Sequence, residues 1–390
     1  MSNTKKSVNE KYFQTTNIRN DIFRKFEKQF KYCFLNPINI GDNLYVEQPT
    51  NEYQNEFNML FSSCNSDVKF FIGYTGVGKT TFIKHYFSNT TLGINTYNTD
   101  AIVIPISWDG IHIDDDSFKD EINAQISNVI DNAIDFIDKP TEELILNESE
   151  SIIEFIKSTR GDILESLTTE EIFKAKKIGC SLSQFKIQKC KDLHPVECST
   201  STLKYVIKNN NPKIKRLIFI VDDLETLSQP KLCYIVSVFF KIYSCMHNID
   251  IKLITDILIS IRPHSFRFLR KDLKHFSINA YGNYLQAEQY RLLKNKIPNV
   301  KEILITRFEE AIKHTPDPGN PITWDMAKKV FYGIINDFDD GIINMISDLC
   351  HMNIRAITDC FQMILSNRVW CQEFDEYTDY PVVQFLFLIF

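Results

Sequence analysis

Two short runs in this chain hold residue types that can do chemistry at the spacing found. The first is Gly73-Tyr74-Thr75-Gly76-Val77-Gly78-Lys79-Thr80, preceded by the apolar Phe70-Phe71-Ile72 and followed by a helix-like run to Phe87. Glycines so placed let the backbone curl until successive N–H groups point inward, and such a nest holds phosphate oxygens. A helix beginning near Gly78 adds the positive end of its dipole. In that arrangement Lys79 reaches the β- and γ-phosphates of a nucleoside triphosphate and the Thr80 hydroxyl ligates Mg²⁺. Gly73, Thr75, Gly76, Val77, Gly78, Lys79, Thr80 and Thr81 are the expected nucleotide contacts.

The second run is "LIFIVDDLE", in which Asp222 and Asp223 end five apolar residues. Carboxylates there project from the tip of a buried strand. The first, Asp222, is placed to hold the Mg²⁺ water shell, and the second, Asp223, to orient and deprotonate an attacking water. Glu225 is the alternative for that last role. Arg262 ends the next apolar run, "LISIRP", where a cation would lie close to the γ-phosphate.

Other combinations are weaker. Cys180, Cys190, His194 and Cys198 could offer four zinc ligands, but their spacing matches no common zinc motif and Pro195 breaks a helix that would align them. "DDDS" at 114–117 reads as an acidic helix N-terminus rather than a metal site. "RPHSFRFLRKDLKH", Arg262 to His275, is a basic stretch. It is either a solvated face, a nucleic-acid contact, or the source of an arginine (Arg267 or Arg270) offered to a neighbouring subunit.

These residues need a frame that brings strand tips together. Strands are expected at Asp67–Ile72, Ala101–Trp108 and Arg216–Asp223, within "IDIKLITDILISIR", and at "KHFSINAYG". Helical segments alternate with them, including an insertion at about 117–210, so the fold class is α/β with a doubly wound parallel sheet. Ligands in such sheets bind at the carboxyl ends of the strands. After Tyr281 no strong strand is apparent, and "LQAEQYRLLKNKI", "KEILITRFEEAIK", "ITWDMAKKVFYGIINDF" and "NIRAITDCFQMILSNRVW" carry helical periodicity. The expected organisation is an N-terminal arm over 1–50, the α/β domain over 51–280, and a helical domain over 281–390 whose apolar end, "YPVVQFLFLIF", needs burial.

With these motifs in place the chain resembles P-loop ATPases of the additional-strand class, close to the AAA+ and STAND families, including KAP-like and bacterial defence ATPases. "GYTGVGKTT", "LIFIVDDLE", "ILISIRP" and "MNIRAI" carry the resemblance, which spans about 67–370. It implies a P-loop NTPase sheet followed by a helical lid, with ATP and Mg²⁺ as ligands. It also implies that Arg262 and, from the lid, Arg355 reach the nucleotide. The second acid is Asp where typical AAA+ members have Glu, which favours a slow switch over fast turnover.

Composition limits the remaining options. The 390 residues suffice for two or three domains, and a net charge of −6 argues against a protein dominated by nucleic-acid affinity. Met1 to Glu10 is polar, unlike a signal peptide, and the C-terminal apolar run is about half of membrane-spanning length. Ten cysteines without paired spacing suit a reducing, cytoplasmic setting. No guanine-reading Asn-Lys-x-Asp occurs. The expected activity is slow ATP hydrolysis driving a molecular switch, in a defence or regulatory complex with a protein partner or a second copy. Alternatives are a nucleotide-loaded scaffold with little turnover and a DNA-engaging motor.

Overall fold

A computed structural model describes residues 66–74, 76–87, 93–97, 100–108, 113–114, 116–246, 253–276, 290–294 and 299–313, with separate positions at 57, 58, 61, 332, 335, 346, 347, 350, 353, 354 and 356–358. The described residues fall into two compact units. One lies within Glu52–Gly73 and Tyr86–Asn295, the other within Tyr74–His85 and Lys296–Phe390. The N-terminal arm, Thr75, Arg355 and the apolar C-terminal run lie outside the described residues.

The first unit is built on a six-stranded sheet of β1 (Asp67–Ile72), β2 (Asn95–Tyr97), β3 (Ala101–Ser107), β4 (Arg216–Asp222), β5 (Ile254–Ile261) and β6 (Tyr290–Lys294). The spatial order is β2-β3-β4-β5-β1-β6. Five strands run parallel, and the short β2 is antiparallel to β3 at one edge. Every residue of β4 is buried, as is all of β5 after Ile254. That is why these strands read as unbroken apolar runs: each is covered on both faces.

Helix α1 (Lys79–Tyr86) follows the glycine-rich loop. Five helices then lie between β3 and β4: α2 (Phe118–Ile137), α3 (Thr141–Arg160), α4 (Thr169–Lys177), α5 (Leu182–Leu193) and α6 (Pro195–Asn209). Their boundaries are written locally. Thr168 with Glu171 and Ser181 with Gln184 form capping boxes that start α4 and α5. Gly179, at φ 68°, ends α4, with the Cys180 amide donating to the Ala175 carbonyl at 3.1 Å. Pro195 opens α6 at its first turn. Beyond β4 come α7 (Gln229–Met246), between β4 and β5, and α8 (Pro263–Phe276), after β5. One hydrophobic core joins the sheet to α2, α3, α6 and α7.

A charged cluster sits inside this core, toward the amino ends of the strands. Lys69 of β1 and Asp256 of β5 form an ion pair with both side chains fully buried. Arg216, opening β4, approaches the other Asp256 oxygen at 3.3 Å, and the Lys69 ammonium lies 5.0 Å from the Phe61 ring centroid. Three adjacent strands are thus pinned by one carboxylate.

Two sequence expectations need correction. The first three residues of "KHFSINAYG", Lys274 to Phe276, form the last turn of α8 and not a strand, and the rest of that segment lies outside the described residues. A further strand, Tyr290–Lys294, lies inside the segment read as helical and pairs with β1 beyond the expected domain boundary at 280. An edge strand carrying charges and only two leucines lacks the apolar run that betrays a central one. The third strand also stops one residue early, at Asp222, because Asp223 turns into a left-handed conformation.

In the second unit, α9 (Val300–Lys313) realises the expected "KEILITRFEEAIK" helix. Phe308 packs against Tyr332, whose hydroxyl bonds to Glu309. Tyr332, Ile335, Ile354, Ala356, Ile357 and Thr358 are helical.

Candidate functional site

The carboxyl ends of β3, β4, β5 and β1 meet along one rim of the sheet. Asp222, the last residue of β4, is 3% exposed and lies in register with Ser107, the last of β3. Asp223 has φ 60° and ψ 28°, a strained conformation that aspartate tolerates better than most residues. The Ser107 hydroxyl donates to Asp223 Oδ2 at 2.6 Å. The chain then makes a short 3₁₀ turn, Leu224–Thr226, in which Leu224 is buried and Glu225 points across to β5. Arg262, directly after β5, places its Nε 2.8 Å from Glu225 Oε2. The contact is an ion pair and not an aligned hydrogen bond, since the Nε–H finds no acceptor in line. The Gly73 amide donates to the Ile261 carbonyl at 3.2 Å, so the chain leaving β1 starts beside the residue preceding Arg262. With one strand between β1 and β4, the Gly73 and Asp222 rim positions are about 10 Å apart.

Gly73, Asp222, Asp223, Glu225 and Arg262 therefore share one rim of the first unit. The partners sort the two acids expected to compete for the role of base. Asp223 takes the Ser107 hydroxyl, whereas Glu225 pairs with the Arg262 guanidinium.

The remaining expected contacts lie in the second unit. Gly76 and Gly78 take φ of 75° and 86°, which side-chain-bearing residues rarely adopt. The Gly78 carbonyl accepts the first bond of α1 from the Phe82 amide at 2.8 Å. The Lys79 side chain, 7% exposed, folds back over the loop so that Nζ donates to the Tyr74 carbonyl at 3.2 Å. Its ammonium therefore stands at the loop and not out in solvent. Val77 is buried, Thr80 half-buried and Thr81 exposed.

The loop has a neighbour that sequence reasoning missed. The Ile354 amide donates to the Gly76 carbonyl at 3.0 Å. Asn353 caps the helical residues that follow, its Oδ1 accepting from the Ala356 amide at 3.3 Å and its carbonyl from the Ile357 amide at 2.9 Å. A Cβ built on Gly76 would lie 1.9 Å from Asn353 Oδ1, whereas one on Gly78 would find Ile354 Cδ1 at a comfortable 3.7 Å. Gly76 is thus glycine for two reasons: its backbone angle and the side chain seated on it. The sequence signal for it is the Asn in "MNIRAI", which precedes a helical pattern.

Cys180, Cys190, His194 and Cys198 do not converge as a metal-holding group. The Cys198 thiol donates to the Ile187 carbonyl at 3.9 Å, and the interaction between the neighbouring Cys198 and Cys190 thiols, with burial, pushes Cys198 well above its usual range while holding Cys190 below it. Cys180 turns to Gln184 Oε1 at 3.4 Å, and His194 is the hinge residue between α5 and α6. Among the described residues no group of three or more His, Cys, Asp or Glu side chains is placed to hold a metal; Asp115 of the 114–117 run lies outside them. A Mg²⁺ bound through one hydroxyl, one carboxylate, waters and phosphates needs no such group. Among the described residues no helix is long and apolar enough to cross a membrane.

Comparison with protein-family models gives no match, and comparison with curated proteins gives none. The functional reading rests on the chain's own geometry.

Proposed function

We propose that this chain is an ATP-binding, slowly hydrolysing P-loop ATPase of the AAA+/STAND-like kind, acting as a molecular switch. The observation that carries the reading is the sheet order. β5 lies between β1, which leads into the glycine-rich loop, and β4, which ends in Asp222 and Asp223. An extra strand between those two is what the name of the additional-strand class describes. The positive-φ glycines and the inward-folded Lys79 support the same reading, since they form a cradle that a β-carbon would disturb.

In this reading the loop amides and Lys79 hold the phosphates, and Thr80 and Asp222 hold Mg²⁺ and its waters. The ion supplies charge neutralisation between the β- and γ-phosphates. Asp223 orients the attacking water and accepts its proton. Arg262 answers to the γ-phosphate and Arg355 to the nucleotide from the lid. ATP then favours one lid position and ADP another. A defence or regulatory complex is the setting that the resemblance implies.

One observation favours the low-turnover alternative. Asp223 is tied to Ser107 and Glu225 to Arg262, so neither acid is free to take a proton without rearrangement.

Titration with a fluorescent ATP analogue, with and without Mg²⁺ and in competition with GTP, tests the proposal. The expected result is Mg²⁺-dependent binding, a preference for ATP, and a loss of at least about tenfold in affinity in Lys79→Ala, in keeping with a removed charge-assisted contact. No binding by the wild-type chain, or equal affinity for GTP, overturns it.

A further inference from the structure

Two consecutive residues of the second unit sit on the two positive-φ glycines of the loop. The Ile354 amide donates to the Gly76 carbonyl at 3.0 Å, the Asn353 side chain lies where a Gly76 β-carbon would be, and Ile354 Cδ1 stands 3.7 Å from where a Gly78 β-carbon would be. The turn that presents them is itself fixed. The Asn353 amide donates to the Cys350 carbonyl at 2.9 Å, and the Cys350 amide to the Ile346 carbonyl at 2.9 Å. The Ile354 side chain is buried and clusters with Ile303 of α9. An amide in the first turn of a helix has no acceptor within that helix, so it can hold a group outside it.

The carbonyl that Ile354 holds belongs to the same peptide unit as the Val77 amide. In a trans peptide the C=O and N–H point in opposite directions. Fixing the Gly76 carbonyl against the 353–354 turn therefore sets the Val77 N–H toward the other side of the loop. Glycine at 76 leaves that peptide easy to rotate unless something holds it. A phosphate nest needs successive N–H groups turned to one side. One rotated peptide would replace a donor with a carbonyl oxygen facing the anion.

Resting on the P-loop reading above, we infer that the Ile354 amide is a positioning group of the phosphate site: by holding the Gly76 carbonyl it keeps the Val77 N–H aimed at the α/β-phosphates of the nucleotide. The coupling is reciprocal. Phosphate bound by the Val77 N–H fixes the same peptide and so strengthens the hold on Ile354 and the helical residues after it. Nucleotide and helical unit are then linked through one backbone hydrogen bond, independently of any side chain that reaches the nucleotide.

Ile354→Pro tests this in the full chain. Proline at the first position of a helix costs the helix little, and the extended angles usual in a capping residue such as Asn353 suit the residue before a proline. The change removes the donor and turns a ring carbon toward the Gly76 carbonyl. Ile354→Ala is its control, because it loses the same packing on Ile303 and keeps the N–H. In titration with a fluorescent ATP analogue and Mg²⁺, Ile354→Pro should bind at least about fivefold more weakly than Ile354→Ala, and ADP in competition should weaken alike. In the wild type, saturating nucleotide should slow hydrogen exchange at the Ile354 amide by more than at the α9 amides, a difference that a purely structural contact would not show. If Ile354→Pro melts below Ile354→Ala, the exchange measurement decides alone. Equal affinities in variants that melt alike, or Ile354 exchange that responds no more than α9, overturns this inference and leaves the P-loop reading in place. No binding by the wild-type chain overturns that reading and this inference with it.

Discussion

The side-chain oxygen of Asn353 fills the space that a β-carbon on Gly76 would occupy. Gly76→Ala therefore has to displace Asn353 while adopting a left-handed backbone. A cost of about 1–3 kcal/mol is expected from these two strains. The measurement is hydrogen exchange at Ile354, whose amide donates to Gly76: its protection should fall in Gly76→Ala. Asn353→Ala removes the cap instead, at about 1 kcal/mol, and should loosen 354–358 while sparing the loop angles.

The two acids after Asp222 should separate in turnover assays. Asp223→Asn is expected to keep ATP binding and to slow hydrolysis on the order of a hundredfold or more, the usual cost of losing a general base. Glu225→Gln should change the rate only a few-fold, because Glu225 serves Arg262. The reverse pattern would make Glu225 the base. Asp222→Asn should weaken binding only when Mg²⁺ is present.

Inside the sheet, Asp256→Ala leaves the Lys69 and Arg216 cations facing a site with no carboxylate between them. Urea unfolding should show a loss of about 3–5 kcal/mol, as for other broken buried pairs. Lys69→Met, which leaves Arg216 beside Asp256, should lose less.

Glu148 supplies a pH dependence. Its carboxylate takes the Lys139 ammonium at 2.6 Å, the Tyr205 hydroxyl at 3.0 Å and the Asn210 amide at 3.5 Å. The lysine bond is the largest influence and lowers its pKa; burial, next in size, pushes it up; the Tyr205 and Asn210 bonds add smaller downward pulls, and the net lies below the ordinary range. A depressed folded-state pKa adds stability that is present above the unfolded carboxylate value and is lost as the pH falls through the folded one. Glu148→Gln should therefore melt below the wild type at neutral pH, and the gap should close in acid.

Legibility in the sequence followed burial. β1 was readable to its end residues, since Phe70, Phe71 and Ile72 run straight into Gly73. β4 was readable because nothing polar interrupts Leu217 to Val221. β6 was not, because Tyr290, Arg291 and Lys294 give an edge strand no apolar signature, and β2 is only three residues long. At the candidate site the residue types were legible but their pairings were not. Nothing local to Glu225 announces Arg262, and nothing local to Gly76 announces Asn353. Such contacts are set by how strands and helices come together, which short-range spacing does not encode. Arg355 and Thr75 lie outside the described residues, so their expected roles are neither supported nor opposed.

The position of β1 bears on the order in which the sheet closes during synthesis. Both of its sheet neighbours, β5 and β6, come later in the chain, and the five-helix insertion comes earlier. A nascent chain that has emerged as far as Asp222 can pair β3 with β4 and assemble the insertion, yet it offers β1 no strand to join. Phe70 and Phe71 must wait for Ile254–Ile261 to leave the ribosome, exposed or chaperoned in the meantime. The strand that leads into the glycine-rich loop is thus the first of the six to be synthesised yet must wait to be enclosed, so products truncated before Ile254 should carry β1 without its partner β5 and show no nucleotide affinity.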